Sequence, residues 1–491
     1  MFKKILIANR GEIAVRVIRA CRELGIASLS LYQQPDQRSL HVRLADECVP
    51  LESAAGFMDQ AEILRLALRA GADAIHPGYG YLAERADFIQ ACAARGITVI
   101  GAPAAAVAAV SDKVPALERA QAAGFAVVPH STQAFTEDER AALRDEASRL
   151  GYPLKIKARH GGRGRGETLV AAPEQLERAL DVAFAQAQAF YADRSVYLEK
   201  ALSPARSVSV LVLADHAGRR VHLGENESTL LLGNQKILVE SAARHLTPAQ
   251  RSDLWHTALD LARLFGVENL ASIEFLLDWE GAALFSEIKA RLSIMHPVTE
   301  ALTRVDLVQQ QIRLAAGEPL ALAQEQVSLT GWAMTCRLTA EDPWHNFQPA
   351  PGQLQSVRWP QGPEVRVDTY VYAGGDVPAE YETLLAKLTT WAPDRAGCVA
   401  RLRRALSELS LSGIASNLPL LRRIAADPAF ADGSYSDELA AQALDHQDQP
   451  EDELRRLAAA AAILYTQRTG QFQPRVPERL LSGWHRADRS F

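Results

Sequence analysis

The chain opens with an alternation of short apolar runs and stretches whose apolar residues fall three and four apart. "KKILIANR" is followed by "GEIAVRVIRACRELG" and then by the extended "IASLSLYQQ". A strand buried on both faces is continuously apolar and a surface helix is apolar on one stripe, so this order predicts a β-α-β unit. "AEILRLALRAG", "ADAIHPG", "ADFIQACAARG" and "ITVIGAP" continue it. The first stretch, to about residue 112, is expected to be a doubly wound α/β domain with ligand loops at the carboxyl ends of its strands.

Beyond "SDKVPALERAQAAG" the strands "PLKIKA" and "ETLVAA" flank the glycine-rich "HGGRGRG" (160–166), and a helix and the strand "RSVYLEK" follow. A glycine loop between two strands fits a flap laid over phosphates better than a loop that opens a helix. Strand content is high from "SVSVLVLAD" to "ALFSEIKARLS", helices run to about 320, and a mixed region runs from "GWAMTCRLTAEDP" to about 445. The tail carries a helical stretch, "EDELRRLAAAAAILYTQRTG", then "GWHRAD" with an exposed-looking Trp484. The chain has no internal repeat.

Composition narrows the picture. A chain of 491 residues exceeds one hydrophobic core, which stops growing near ~250–300 residues, so two to four domains are expected. With 48% hydrophobic and 23% charged residues and a net charge of -6, nothing calls for nucleic acid as a partner. Five cysteines without a C-x-x-C pair predict core thiols in a reducing compartment. The start has a basic pair and a short apolar run, but "NRGE" interrupts that run and no apolar stretch reaches the ~18 residues of a membrane span. No membrane association and a cytoplasmic location are expected.

The segments "ILIANRGEIAVRVIRACRELGI", "AIHPGYGYLAE", "SDK" (111–113), "GYPLKIKA", "VYLEK", "NQK" (234–236), "IEFLL", "ARLSIMHPVTE", "TCRLTAEDP" and "AGGDVPAEYETLLAKL" resemble biotin carboxylase, the ATP-grasp subunit or domain of biotin-dependent carboxylases, in family order over about residues 2 to 445. The resemblance implies a multidomain α/β and α+β chain. Its parts would be a doubly wound pre-ATP-grasp domain (1–113), an ATP-grasp lid subdomain with the glycine-rich loop (114–202), the ATP-grasp main subdomain (203–330), a C-terminal mixed domain (331–445) and a helical tail for partner contact (446–491). The tail is similar to the segment that follows this unit in α chains of acyl-CoA carboxylases. The implied reaction has bicarbonate attack the γ-phosphate of ATP to give carboxyphosphate, whose CO2 is captured by a biotin nitrogen.

Carried over residue by residue, the resemblance puts Lys113 and Lys157 on phosphates, Gly161, Gly162 and Gly164 in the lid, and Glu199, Lys200 and Leu202 at the adenine hinge. Glu274 and Glu287 would hold Mg2+, Lys236 and Arg291 the bicarbonate, and Arg337 the biotin enolate. No attachment motif of the Met-Lys-Met kind occurs, so biotin is expected on a separate carrier protein, with a carboxyltransferase-type chain as a further partner; pairing with a second copy of the chain is left open.

The departures concentrate at the chemistry. Lys289 replaces an asparagine beside the second metal carboxylate; at ~4 Å from Glu287 and an effective dielectric near ~20 their attraction is about 4 kcal/mol, enough to plug the second metal site. Met295 replaces the glutamate that deprotonates bicarbonate, and loss of a positioned base costs about 10²–10⁴-fold. Ser293 replaces a glutamine, while Ser207, Leu231 and Asn234 replace three polar contacts to nucleotide. His160 and Arg163 interrupt the glycine run. Three readings follow: a carboxylase component with altered or impaired chemistry, in which His296 or a water on Lys289 takes the base role; a non-catalytic scaffold or regulator; and an ATP-grasp ligase acting on another small carboxylate.

Overall fold

The computed structural model describes residues 1–160, 166–191, 193–202, 205–232, 235–278, 281–445 and 451–471. Residues Met1–Ala443 form one compact unit and a second begins at Leu444. Within the second, the helix Glu451–Gln471 leaves Leu457, Ile463, Leu464 and Tyr465 exposed. Trp484 lies outside the described residues.

The N-terminal pattern reads as expected. Strands β1 (Lys4–Ile7), β2 (Ala27–Tyr32), β3 (Glu47–Pro50), β4 (Ala74–His76) and β5 (Thr98–Val99) form a parallel sheet in the order β3-β2-β1-β4-β5. Side chains alternate across a strand, and β1 uses both faces. Ile5 and Ile7 enter a core with Val17 and Ile18 of helix α1 (Gly11–Glu23), while Leu6 and Ala8 enter another with Leu29, Ile75 and Phe88. The loops after β1 and β4 are tied together by Asn9 Nδ2, which donates to the carbonyls of Pro77 (2.7 Å) and Tyr79 (2.9 Å). Gly78 sits between them at φ +64°, where a Cβ would come 2.9 Å from Asn9 Nδ2. Only glycine fits that approach.

Strands β6 (Leu154–Ala158), β7 (Glu167–Val170) and β8 (Val196–Lys200) form a small antiparallel sheet in the order β7-β6-β8. Leu154, Ile156 and Ala158 pack on Leu180 and Phe184 of the helix Leu176–Tyr191, which leaves Lys155 and Lys157 on the other face. The loop residues Gly161, Gly162 and Gly164, with Arg163, lie outside the described residues.

A larger sheet carries the rest. Strands β9 (Arg206–Ala214), β10 (Arg220–Leu232), β11 (Gln235–Ser241), β12 (Asn269–Leu277), β13 (Ala283–Lys289) and β14 (Trp332–Thr339) join Leu384–Ala392 and Val365–Thr369 in the order β13-β12-β9-β10-β11-β14, then those two. The β11–β14 pair, with Leu238 opposite Cys336, carries one hydrogen-bonded sheet across residue 330. Four cysteines are buried as expected, but Cys48, on the edge strand β3, is exposed.

Candidate functional site

Strand register places the two acids. In the antiparallel pair β12–β13, Glu274 stands directly opposite Glu287, so both side chains leave the same face. Like charges in that position repel. The strand period puts Lys289, two residues beyond Glu287, on that face too. Its Nζ lies 2.7 Å from Glu274 Oε1 and 2.8 Å from Glu287 Oε1. Lys113 donates to the other oxygen of Glu287, and Lys236 on β11 reaches Glu274 Oε1 at 3.1 Å. The result is a continuous chain of Lys113, Glu287, Lys289, Glu274 and Lys236. Burial alone would favour neutral groups. Against it, Lys236 and Lys289 hold the Glu274 carboxyl below its usual range, and Lys113 and Lys289 hold that of Glu287 well below. Burial likewise opposes the Lys289 charge, yet Glu274 and Glu287 keep its ammonium above the ordinary lysine range. Lys236 is pulled down by burial, which Glu274 only partly offsets.

The chain of charges borders a cavity of about 170 Å³ lined by Lys236, Glu274, Lys289, Arg291, Ser293, Ile294 and Arg337, and by the loops after β1 and β4. Loops at the carboxyl ends of parallel strands are where such a fold places ligands. Arg291 is 8% exposed; its Nε stands 3.3 Å from Glu84 Oε1 and its Nη1 donates to the Leu292 carbonyl at 2.9 Å. Arg337 is more weakly held, with Nη1 3.5 Å from the Lys236 carbonyl and Nε buried without a hydrogen-bond partner. Burial lowers its pKa, against the pull of Glu382, Glu341 and Glu12. Four cations of this lining, Lys236, Lys289, Arg291 and Arg337, converge on a cavity where Glu274 offsets part of their charge, and such a cavity can receive an anion.

Where a base is expected, the wall carries a hydroxyl and an aliphatic side chain. Ser293 and Ile294 line the cavity, whereas Met295 is 2% exposed and packs with Val239, Val298, Leu302 and Ala333. Met295 therefore adds bulk behind the wall rather than plugging the cavity itself. His296, the other candidate for the base, is fully buried, does not line the cavity, and its Nδ1 lies 2.9 Å from the Ser293 carbonyl, with which it is hydrogen-bonded. Burial, with Lys387, Arg366 and Arg16 nearby, lowers its pKa well below the histidine range. Lys289 is committed to its two carboxylates.

Among the residues expected to meet the nucleotide, Lys157 Nζ lies 2.5 Å from Glu199 Oε2, and Tyr197 donates to Glu199 Oε1 at 2.7 Å. Burial disfavours the Lys157 charge, and Glu167 and Glu199 hold it above its usual range. Lys200 Nζ donates to the carbonyls of Gly151 (3.1 Å) and Tyr152 (2.8 Å). Leu202 is half-buried, and Ser207 takes part in a hydroxyl contact with Ser228 at 3.2 Å. Asn234 lies outside the described residues.

The carboxylates do not fit a bridging Mg2+ in this arrangement. Magnesium requires oxygens at about 2.0–2.1 Å in an octahedron, and the place between Glu274 and Glu287 is filled by an ammonium at hydrogen-bond distance from both. Among the described residues no group of three or more His, Cys, Asp or Glu is arranged to hold a metal. Glu84 and Glu382 were not singled out by sequence reasoning, although both lie in the quoted segments "AIHPGYGYLAE" and "AGGDVPAEYETLLAKL". Their signal was their place at the end of a loop motif, with no partner visible until the chain folds.

Among the described residues no helix is long and apolar enough to cross a membrane. The profile of "Biotin carboxylase, N-terminal domain" matches residues 1–107, that of "Carbamoyl-phosphate synthase L chain, ATP binding domain" 112–323, and that of "Biotin carboxylase C-terminal domain" 335–442. The chain is 41% identical over 438 residues to a biotin carboxylase from a Nostoc species, covering 89% of this chain and 98% of that one. It is 36% identical over 492 residues to the propionyl-CoA carboxylase alpha chain of Ruegeria pomeroyi, covering 95% and 72%. The crystal structure of the biotin carboxylase domain dimer of the Hydrogenobacter thermophilus 2-oxoglutarate carboxylase, in complex with MgADP, ADP and bicarbonate, superposes with a TM-score of 0.88 at 36% identity, covering 91% of this chain and all of that one.

Proposed function

The chain belongs to the biotin carboxylase family, whose reaction is the ATP-dependent carboxylation of biotin, and from that premise we propose that it is the biotin-carboxylase-like component of an acyl-CoA carboxylase type system with impaired bicarbonate activation. The observation that carries this reading is the cavity wall. Lys236, Arg291 and Arg337 still surround an anion-sized space, but Ser293 and Ile294 face it where the family has a proton acceptor nearby, and Met295 lies in the apolar cluster behind. In this reading Lys113 and Lys157 meet phosphates, the segment Glu199–Leu202 borders the adenine, Lys236 and Arg291 hold bicarbonate or another small carboxylate, and Arg337 steadies the biotin ring. The biotin arrives on a carrier protein, and a carboxyltransferase-type chain is the further partner. Pairing with a second copy fits the dimeric Hydrogenobacter domain.

The step that suffers is proton removal from bicarbonate. A missing positioned base lowers the rate about 10²–10⁴-fold. Bicarbonate-dependent ADP release with free biotin is therefore expected to fall below that of the Nostoc relative, assayed alongside, by about two orders of magnitude or more. Equal rates would overturn the reading. A scaffold role is the second reading, favoured by one observation: each charged group from Lys113 to Lys236 already has an ion-pair partner within the chain, without a ligand. It predicts no stimulation of ATP hydrolysis by bicarbonate or by small organic acids.

A further inference from the structure

Taking the nucleotide-binding reading above as its basis, we infer that Lys289 is the resident cation of the carboxylate pair, and that the site receives the phosphates of ADP or ATP without a divalent metal. The argument begins with the strands. Glu274 and Glu287 face each other across β12–β13 and need a cation between them. In this chain a covalently attached one is supplied two residues along the same strand, 2.7 and 2.8 Å from the two oxygens. Lys113 and Lys236 flank it, one on each acid.

Three ammonium groups therefore stand against two carboxylates, an excess of one positive charge where an asparagine at 289 would leave none. A magnesium ion entering between the acids would have to displace Lys289 and then face Lys113 and Lys236 with Lys289 still tethered nearby. Like charges at that range repel strongly in a partly buried site. An ammonium has three donors. Among the described residues, Lys289 uses two on the carboxylates and Lys236 uses one. The remaining N–H groups can donate to phosphate oxygens, so the tail is bound by direct charge-assisted hydrogen bonds. Lys289 thus sets which form of the nucleotide the site takes: the free polyphosphate rather than its magnesium salt.

The test is calorimetric titration of the full chain with ADP, in EDTA and in saturating magnesium, together with Mn2+ titration of the nucleotide-free protein followed by electron paramagnetic resonance. The wild type is expected to bind ADP within about threefold under the two conditions, less than ~0.7 kcal/mol apart, and to leave Mn2+ free. Lys289→Asn is expected to bind Mn2+ and to bind ADP at least ~10-fold more tightly with magnesium than without. Lys289→Met, which keeps the bulk but not the charge, is expected to lose ADP affinity in EDTA while its melting temperature reports on folding. Wild-type ADP binding ~10-fold tighter with magnesium, or Mn2+ binding by the nucleotide-free wild type, would overturn the inference and leave the nucleotide reading intact. No ADP binding under either condition would overturn both.

Discussion

Replacing Met295 by glutamate restores the missing carboxylate on paper, and the structure predicts that it destabilises the chain. Met295 is 2% exposed among Val239, Val298, Leu302 and Ala333, with Trp391 packed against the cluster. Removing a buried methionine forfeits about 1.5–3 kcal/mol of apolar burial. Leaving a carboxyl there without donors adds about 1–3 kcal/mol, so the neutral acid alone costs roughly 2.5–6 kcal/mol against a usual total of about 5–15. Burial raises the folded-state pKa of such a group above its unfolded value of about 4.3. The folded mutant therefore binds the proton more tightly than the unfolded chain. Its stability is greatest below pH ~4.3 and falls by up to ~1.4 kcal/mol per unit as pH rises toward the folded value. Urea midpoints read by tryptophan fluorescence at pH 5, 7 and 8 should show a gap to wild type that widens with pH. Equal midpoints at pH 8, or a gap that narrows with rising pH, would mean that the side chain at 295 reaches the cavity and its lysines, and the account of the wall would be wrong.

Other outcomes follow from the same structure. Glu240, fully buried, accepts from Trp332 Nε1 (2.9 Å), Arg395 Nε (2.8 Å) and Tyr435 Oη (2.6 Å) and pairs with Arg244; among the described residues, Glu240→Ala leaves Arg395 with the carbonyls of Phe430 and Ala431 and no carboxylate, and Arg244 with the carboxylate of Glu227 alone, and should lower unfolding free energy by about 3–5 kcal/mol, measured by urea denaturation. Burial holds His41 down to about 4 and His76 down to about 3, so their contribution is fully present above pH ~6.5 and is lost as pH falls, together by up to ~2.7 kcal/mol per unit. His222 and His296 are held below the histidine range as well, so His76→Gln should remove up to ~1.4 kcal/mol per unit from the slope of unfolding free energy measured in urea from pH 6.5 to 4.5. Burial pushes the thiols of Cys21, Cys92, Cys336 and Cys398 up to about 12, while Cys48 is exposed; a thiol-disulfide reagent should modify one cysteine quickly in the native protein and all five after unfolding.

The parallel N-terminal sheet was legible because its strands are continuously apolar and its helices strictly periodic, as Ile5, Leu6 and Ile7 beside Val17 and Ile18 illustrate. The facing of Glu274 and Glu287 was legible too, since the resemblance and an antiparallel hairpin both require it. What Lys289 does was only half visible. Its neighbour Glu287 could be read along one strand, but its equal hold on Glu274 depends on cross-strand register. Glu84 could not be assigned to Arg291, because their loops meet only in three dimensions. What Met295 and His296 face was not legible for a different reason: around the turn closed by His296 N–H donating to the Ser293 carbonyl, adjacent positions point in different directions, and residue type does not say which one faces the cavity. The sheet that crosses residue 330 was hidden by the helices that separate β13 from β14 in the chain.

That same sheet acts as a ruler. Glu274, Lys236 and Arg337 hang from strands of one hydrogen-bonded fabric, so the interval between the end proposed to meet phosphate and the end proposed to meet the biotin ring is fixed by ladder spacing rather than by a hinge. Replacing Lys289, at the end of β13, by an amide changes the chemistry at a mark without moving the marks. A change of charge at one position can therefore leave the outline that the sheet presents to its neighbours unaltered.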